Sequence, residues 1–132
     1  MHKHISYKFD FSITALHSYP FAELKDLYNK GLRTSLSLKG ISVIESENVW
    51  SITSGEIFSY YLNETLEEFL VKSMLNACKV IPKGEDIISC LFVKVEILEG
   101  TTMPGLHLGH PLINFLSANN AVIDVDIYDM RK

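Results

Sequence analysis

Asp124 and Asp126 stand two residues apart, with Tyr128 two further on. Successive side chains of an extended strand alternate faces, so both carboxylates project from one side. Two carboxylates on one face could hold a divalent cation or divide acid and base roles between them. No third ligand follows at a useful spacing. A solvated strand face explains the same residues, with the aspartates pairing across a sheet to lysines such as Lys8 or Lys94. The solvated face is the stronger reading.

His107 and His110 lie in the run Leu-His-Leu-Gly-His, just after Met103. Two histidines three apart suit a metal only on a helix, and Gly105, Gly109 and Pro111 interrupt one there. His110 reads more simply as the cap of a helix opened by Pro111. His2 and His4 near the start could bind adventitious metal and nothing more, and His17, alone before a helix, reads as a surface or capping group. No metal or cofactor is expected.

Nucleophile and phosphate motifs are absent from the sequence. It has no GxSxG elbow, no P-loop, no GxGxxG after a strand and no HExxH helix. The expectation is a protein that is not an enzyme, although triads can assemble from distant residues.

Recognition chemistry is better represented. Trp50 could anchor an interface, but Ile52 on its own face favours burial in the core. The segment from Glu45 to Tyr61 combines Glu45, Glu47 and Glu56 with Phe58, Tyr60 and Tyr61. Acidic groups beside aromatics suit an edge that binds a protein partner. A solvated loop over the core explains these residues too, and is slightly preferred.

The elements that must carry these groups follow from periodicity. Ile5, Tyr7, Phe9, Phe11 and Ile13 alternate with polar residues, as in a half-buried strand. Ser18 and Pro20 open a short helix whose apolar stripe is Phe21, Leu24, Leu27 and Tyr28, stopped at Gly31. A short strand is expected at Ile41–Ile44 and another at Val49–Thr53, with Gly55 as a turn or bulge. A longer helix runs from Asn63, as its cap, to about Lys79, with Leu66, Phe69, Leu70, Ser73, Met74 and Ala77 inward. Leu91, Val93, Val95 and Ile97 mark a further strand, and Leu112, Phe115 and Leu116 a short helix ended by Asn119 and Asn120. Ala121–Tyr128 then reads as a buried strand that closes the core.

Apolar faces on strands and apolar stripes on helices are buried together in a two-layer α+β sandwich: a largely antiparallel sheet with helices on one face. Residues 1–132 make one domain, with no internal repeat. A chain of this length buries roughly two thirds of its unfolded surface and needs no staple. Cys78 and Cys90 then read as small buried hydrophobes of a reducing compartment, with a disulfide between them the less favoured reading.

The net charge is −4, and the 12 basic residues are scattered. Nucleic-acid binding draws on concentrated basic charge, so it is not expected. No apolar run approaches the roughly 18 residues of a membrane helix, and the start lacks a signal-peptide pattern. Membrane association is not expected, and the cytoplasm is the expected compartment.

The order of landmarks resembles the bacterial family known as domain of unknown function 4279. The residues that carry the likeness are Val49-Trp50-Ser51-Ile52, the acidic-capped helix Leu62–Leu70, the Pro104-Gly105-Leu106-His107-Leu108 segment and the ending Asn120–Tyr128. Lys39-Gly40 is similar to the family's Lys-Gly step. The resemblance implies no established catalytic activity. Related small acidic bacterial domains are often immunity proteins, so it implies direct binding to a cognate toxin, expected to be basic, by a monomer or weak homodimer. The alternative is a small-molecule or enzymatic domain with a pocket between sheet and helices, lined by Trp50, His107, Asp124 or Asp126.

Overall fold

A computed structural model describes residues 5–17, 21, 22, 26, 42–58, 62–72, 84–98 and 107–131. Of the helix expected over Phe21–Gly31, only Phe21, Ala22 and Asp26 are described: Phe21 is buried in the core, and Ala22 and Asp26 are helical and exposed. The C-terminal part of the Asn63–Lys79 helix and Cys78 lie outside the described residues.

Among the described residues, five strands form one sheet: β1 (Ile5–Ala15), β2 (Ser42–Glu45), β3 (Val49–Phe58), β4 (Ile87–Ile97) and β5 (Ala121–Asp129). Their order across the sheet is β2-β3-β1-β4-β5. β1 is antiparallel to both β3 and β4, and β2 to β3, whereas β5 runs parallel to β4. The parallel pair follows from the chain leaving β4 and returning through a helix, a connection that sets the next strand in the same direction.

Helix α1 (Leu62–Leu66) continues as wider π-helical turns over Glu67–Lys72, and α2 spans His110–Ala118. Both lie on one side of the sheet, so the architecture is the expected α+β sheet with helices on one face. Leu66, Phe69 and Leu70 from α1 and its extension, with Leu112, Phe115 and Leu116 from α2, meet Tyr7, Phe9, Phe11 and Ile13 of β1. Phe9 and Phe69 have ring centres 5.7 Å apart, and Phe11 meets Phe115 edge to face at 5.7 Å. Trp50 is fully buried in the same core, as Ile52 on its face suggested.

Four local expectations need correction. β3 does not end near Thr53. Gly55 takes a positive φ of 72°, and Ser54 and Gly55 together oppose the single residue Phe9. This bulge lets the strand run on to Phe58, so much of the supposed loop is strand. Next, Asn63 does not cap its own helix, because its side chain reaches α2 instead. His110 is the first residue of α2, and Gly109 holds the cap position without a side-chain bond.

The fourth correction concerns β5, which among the described residues is an edge strand rather than a buried one. Ile123 and Val125 are partly covered by the core, but Ile127 is 50% exposed. Alternation identifies the face a residue occupies; it does not reveal how many neighbours the strand has. The turn into β5 is as expected. Asn119 caps α2 and Asn120 takes a φ of 50°, a left-handed conformation that asparagine tolerates well.

Candidate functional site: the open face of the sheet

The even-numbered residues of β1 point away from the helices, and their cross-strand partners share that side. Three successive rows carry the charged residues of this face. One holds Phe58, Ser6, Glu96 and Tyr128; the next holds Glu56, Lys8, Lys94 and Asp126; the third holds Thr53, Asp10, Phe92 and Asp124. Five carboxylates thus face two lysines on one surface. Aromatic groups lie among them, with Phe58, Phe92 and Tyr128 at 38%, 42% and 48% exposure.

Several of these charges are held in place. Ser6 Oγ donates to Glu56 Oε1 at 2.8 Å, and Thr53 Oγ1 donates to Asp10 Oδ2 at 2.9 Å. Lys94 Nζ lies 2.8 Å from Glu96 Oε1 and 5.7 Å from the centre of the Tyr128 ring. The hydrogen bond that Lys94 donates to Glu96, with the carboxylate's charge, pushes the Lys94 ammonium above its ordinary value. The cross-strand pairing expected between Lys94 and the aspartates is therefore replaced by a contact within β4. Glu96 sits two residues along the same face and wins the ammonium.

Between these groups lies a hollow of about 220 Å³, lined by Ser6, Lys8, Gly55, Glu56, Lys94 and Glu96. The bulge at Gly55 shapes its wall. Cys90 lies beneath the same face, in the row of Ser12 and Val122, and is buried. Burial first, and then the nearby charges of Asp124 and Asp10, push its thiol above the ordinary value. Cys90 is a free thiol and packs as the small hydrophobe expected from the sequence.

The acidic and aromatic segment is split by the fold. Glu56 and Phe58 belong to the open face. Glu45 pairs with Trp50, on the helix side of the sheet, and Glu47 is in the turn between β2 and β3. Glu45 and Glu56 are thus on opposite faces, and the six steps from Trp50 to Glu56, one of them taken up by the bulge, span roughly 17 Å of strand. Tyr60 and Tyr61 lie outside the described residues.

Trp50, His107, Asp124 and Asp126 are not brought together among the described residues. Trp50 is in the core, the two aspartates are on the opposite face of the sheet, and His107 is exposed ahead of α2. Among the described residues, no three His, Cys, Asp or Glu side chains gather as a metal site. No described helix is long and apolar enough to cross a membrane.

Phe92 was missed as a surface group, as were Ile88 and Val122 on the same face and Leu16 at the end of β1, at the rim of a second shallow hollow. Phe92 interrupts the alternation of β4 with an apolar residue on the polar side, and that signal could have found it. The fold and this surface define an α+β protein with one sheet face uncovered by described helices. No protein-family model, curated protein or solved structure matches the chain.

Proposed function

We propose that this is a non-enzymatic binding protein of the bacterial cytoplasm, an immunity protein that neutralises a cognate toxin domain by occluding it. The open face of the sheet is its binding surface. The observation that carries the reading is the makeup of that face: five carboxylates against two lysines, with Phe58, Phe92 and Tyr128 among them. Rigid aromatic groups supply buried contact area, and a one-signed field steers an oppositely charged partner. The toxin as the partner's class rests on the resemblance to the domain of unknown function 4279 family. The hollow at Lys8 is smaller than the roughly 300 Å³ at which small-molecule pockets begin, which favours a protein partner over a ligand.

The test is co-expression with the product of the neighbouring gene, followed by size-exclusion chromatography and calorimetry. A one-to-one complex is expected, with affinity that falls as salt rises. Glu56→Lys and Phe92→Ala should each weaken it by about tenfold or more while leaving the melting temperature close to the parent's. No complex, or a complex indifferent to both changes, rules out the open face as the surface.

A further inference from the structure

The outer edge of β5 carries a row of backbone groups with no strand against it among the described residues. Its phase is set by one bond: Met130 N–H donates to Ile97 O at 2.8 Å, towards β4. Backbone groups alternate sides along an extended strand, so those of Asp124, Asp126 and Tyr128 also turn towards β4. The amides and carbonyls of Ile123, Val125 and Ile127 then point outward.

Protein edges are commonly shortened, bulged, or guarded by lysine or proline. The opposite edge, β2, has 4 residues. β5 has 9, in unbroken register with β4 and with neither lysine nor proline.

The aspartates determine which strand can add there. In a symmetric antiparallel pair of β5 strands, residues of the open face meet residues of the open face. Any such pairing centred on Asp124, Val125 or Asp126 sets aspartate against aspartate, which disfavours a second copy. A strand with lysine or arginine over Asp124 and Asp126, and apolar residues beside Val125 and Ile127, meets both demands. Asp129 is already paired with Arg131 at 2.7 Å, which leaves Asp124 and Asp126 as the charges that select.

We propose that β5 accepts an extended segment of the partner, alternating basic and apolar residues, as a sixth strand of the sheet. The inference rests on the protein-binding reading above and adds the form in which part of the partner docks.

The probe is the peptide amide Thr-Lys-Val-Lys-Val-Lys-Thr, with Thr-Glu-Val-Glu-Val-Glu-Thr as its counterpart, and the readout is amide hydrogen exchange. The lysine peptide should slow exchange at Ile123, Val125 and Ile127 by about tenfold at saturation, and the glutamate peptide should not. The double variant Asp124→Lys with Asp126→Lys should reverse that preference. Val125→Pro removes an outward donor while sparing the bonds to β4, and should abolish peptide binding. If the proline variant does not fold, the charge reversal decides.

No slowing with the lysine peptide, equal slowing with both peptides, or a peptide-free dimer that protects the same amides would overturn strand addition. A partner protein that binds with salt sensitivity yet leaves these three amides unprotected overturns strand addition alone. Peptide protection without any stoichiometric protein partner would instead remove the reading on which it rests.

Discussion

The backbone N–H of Gly109 donates to Asn63 Oδ1 at 2.7 Å, joining positions 46 apart in the chain. Asn63 Nδ2 in turn donates to Glu67 Oε1 at 3.2 Å. One asparagine thus ties the start of α2 to the first turns of α1, and both helices are held in place over the core. Gly109 permits the close approach, since a Cβ there would lie 2.9 Å from Glu67 Oε1. Asn63→Ala should cost about 1–2 kcal/mol, because it strands a part-buried N–H. Gly109→Ala should cost less, since the Glu67 side chain can swing aside. The double variant should cost less than the sum, because both changes act on the same contact. Urea unfolding of the three variants checks all of this.

Ser54 has a comparable role inside the sheet. Its Oγ accepts from Phe9 N–H at 2.9 Å and donates to Gly55 O at 2.7 Å, filling the gap that the bulge opens in the ladder. Ser54 is fully buried, so water does not replace the hydroxyl. Ser54→Ala should cost about 2 kcal/mol, the order expected for leaving a buried donor unsatisfied. Ser54→Thr, which keeps the hydroxyl, should recover part of that. Slower exchange at the Phe9 amide in the parent than in the alanine variant would tie the loss to this bond.

These two contacts mark where reading the sequence stops. Alternation in Ile5–Ile13 and Leu91–Ile97 identifies the strands and their apolar faces, because face is a local property of an extended chain. Gly55 and Asn120 are also visible in advance, since positive φ selects few residue types. The partner of Asn63 is not visible, because a cap and a distant bracket use the same side-chain oxygen. The edge position of β5 is hidden for a similar reason. Ile123, Val125 and Ile127 have the same pattern whether β5 has one neighbour or two. The candidate site was half legible: Glu56 and Phe58 share a face, and Glu45 does not, because the bulge and the hairpin set a register that composition does not encode.

Cys90 offers a chemical probe of the open face. Burial, Asp124 and Asp10 all hold its thiol protonated, and only the thiolate is alkylated. Iodoacetamide at mildly alkaline pH, followed by peptide mapping, should modify Cys90 at least about tenfold more slowly than a free thiol. Asp124→Asn should speed the reaction by lifting one of the charges. The raised value also sets a sign. Protonated Cys90 contributes stability fully below the ordinary thiol range, and that contribution fades as pH rises through the folded value. Cys90→Ser should flatten that alkaline limb of a stability profile.

At the far end of β5, Asp129 shows the opposite sign. Arg131 donates to it from its side chain and its backbone, at 2.8 Å from Nε, 2.7 Å from Nη2 and 3.1 Å from the main-chain N. These bonds, with the guanidinium charge, lower its carboxyl from 3.8 to about 2. A depressed carboxylate stabilises the fold above its ordinary value, and the contribution is lost as pH falls through the folded one. The relevant window therefore runs from about 4 down to about 2, and the effect is small because water and salt screen the exposed pair. A carboxyl-carbon NMR titration should place Asp129 at about 2 in the parent. Arg131→Ala should raise it most of the way to the ordinary carboxylate range, because the main-chain N–H of position 131 still donates, and Arg131→Lys should raise it less, since an ammonium keeps the charge without the fork of donors. An Asp129 that titrates normally in the parent would mean that the pair does not persist in solution.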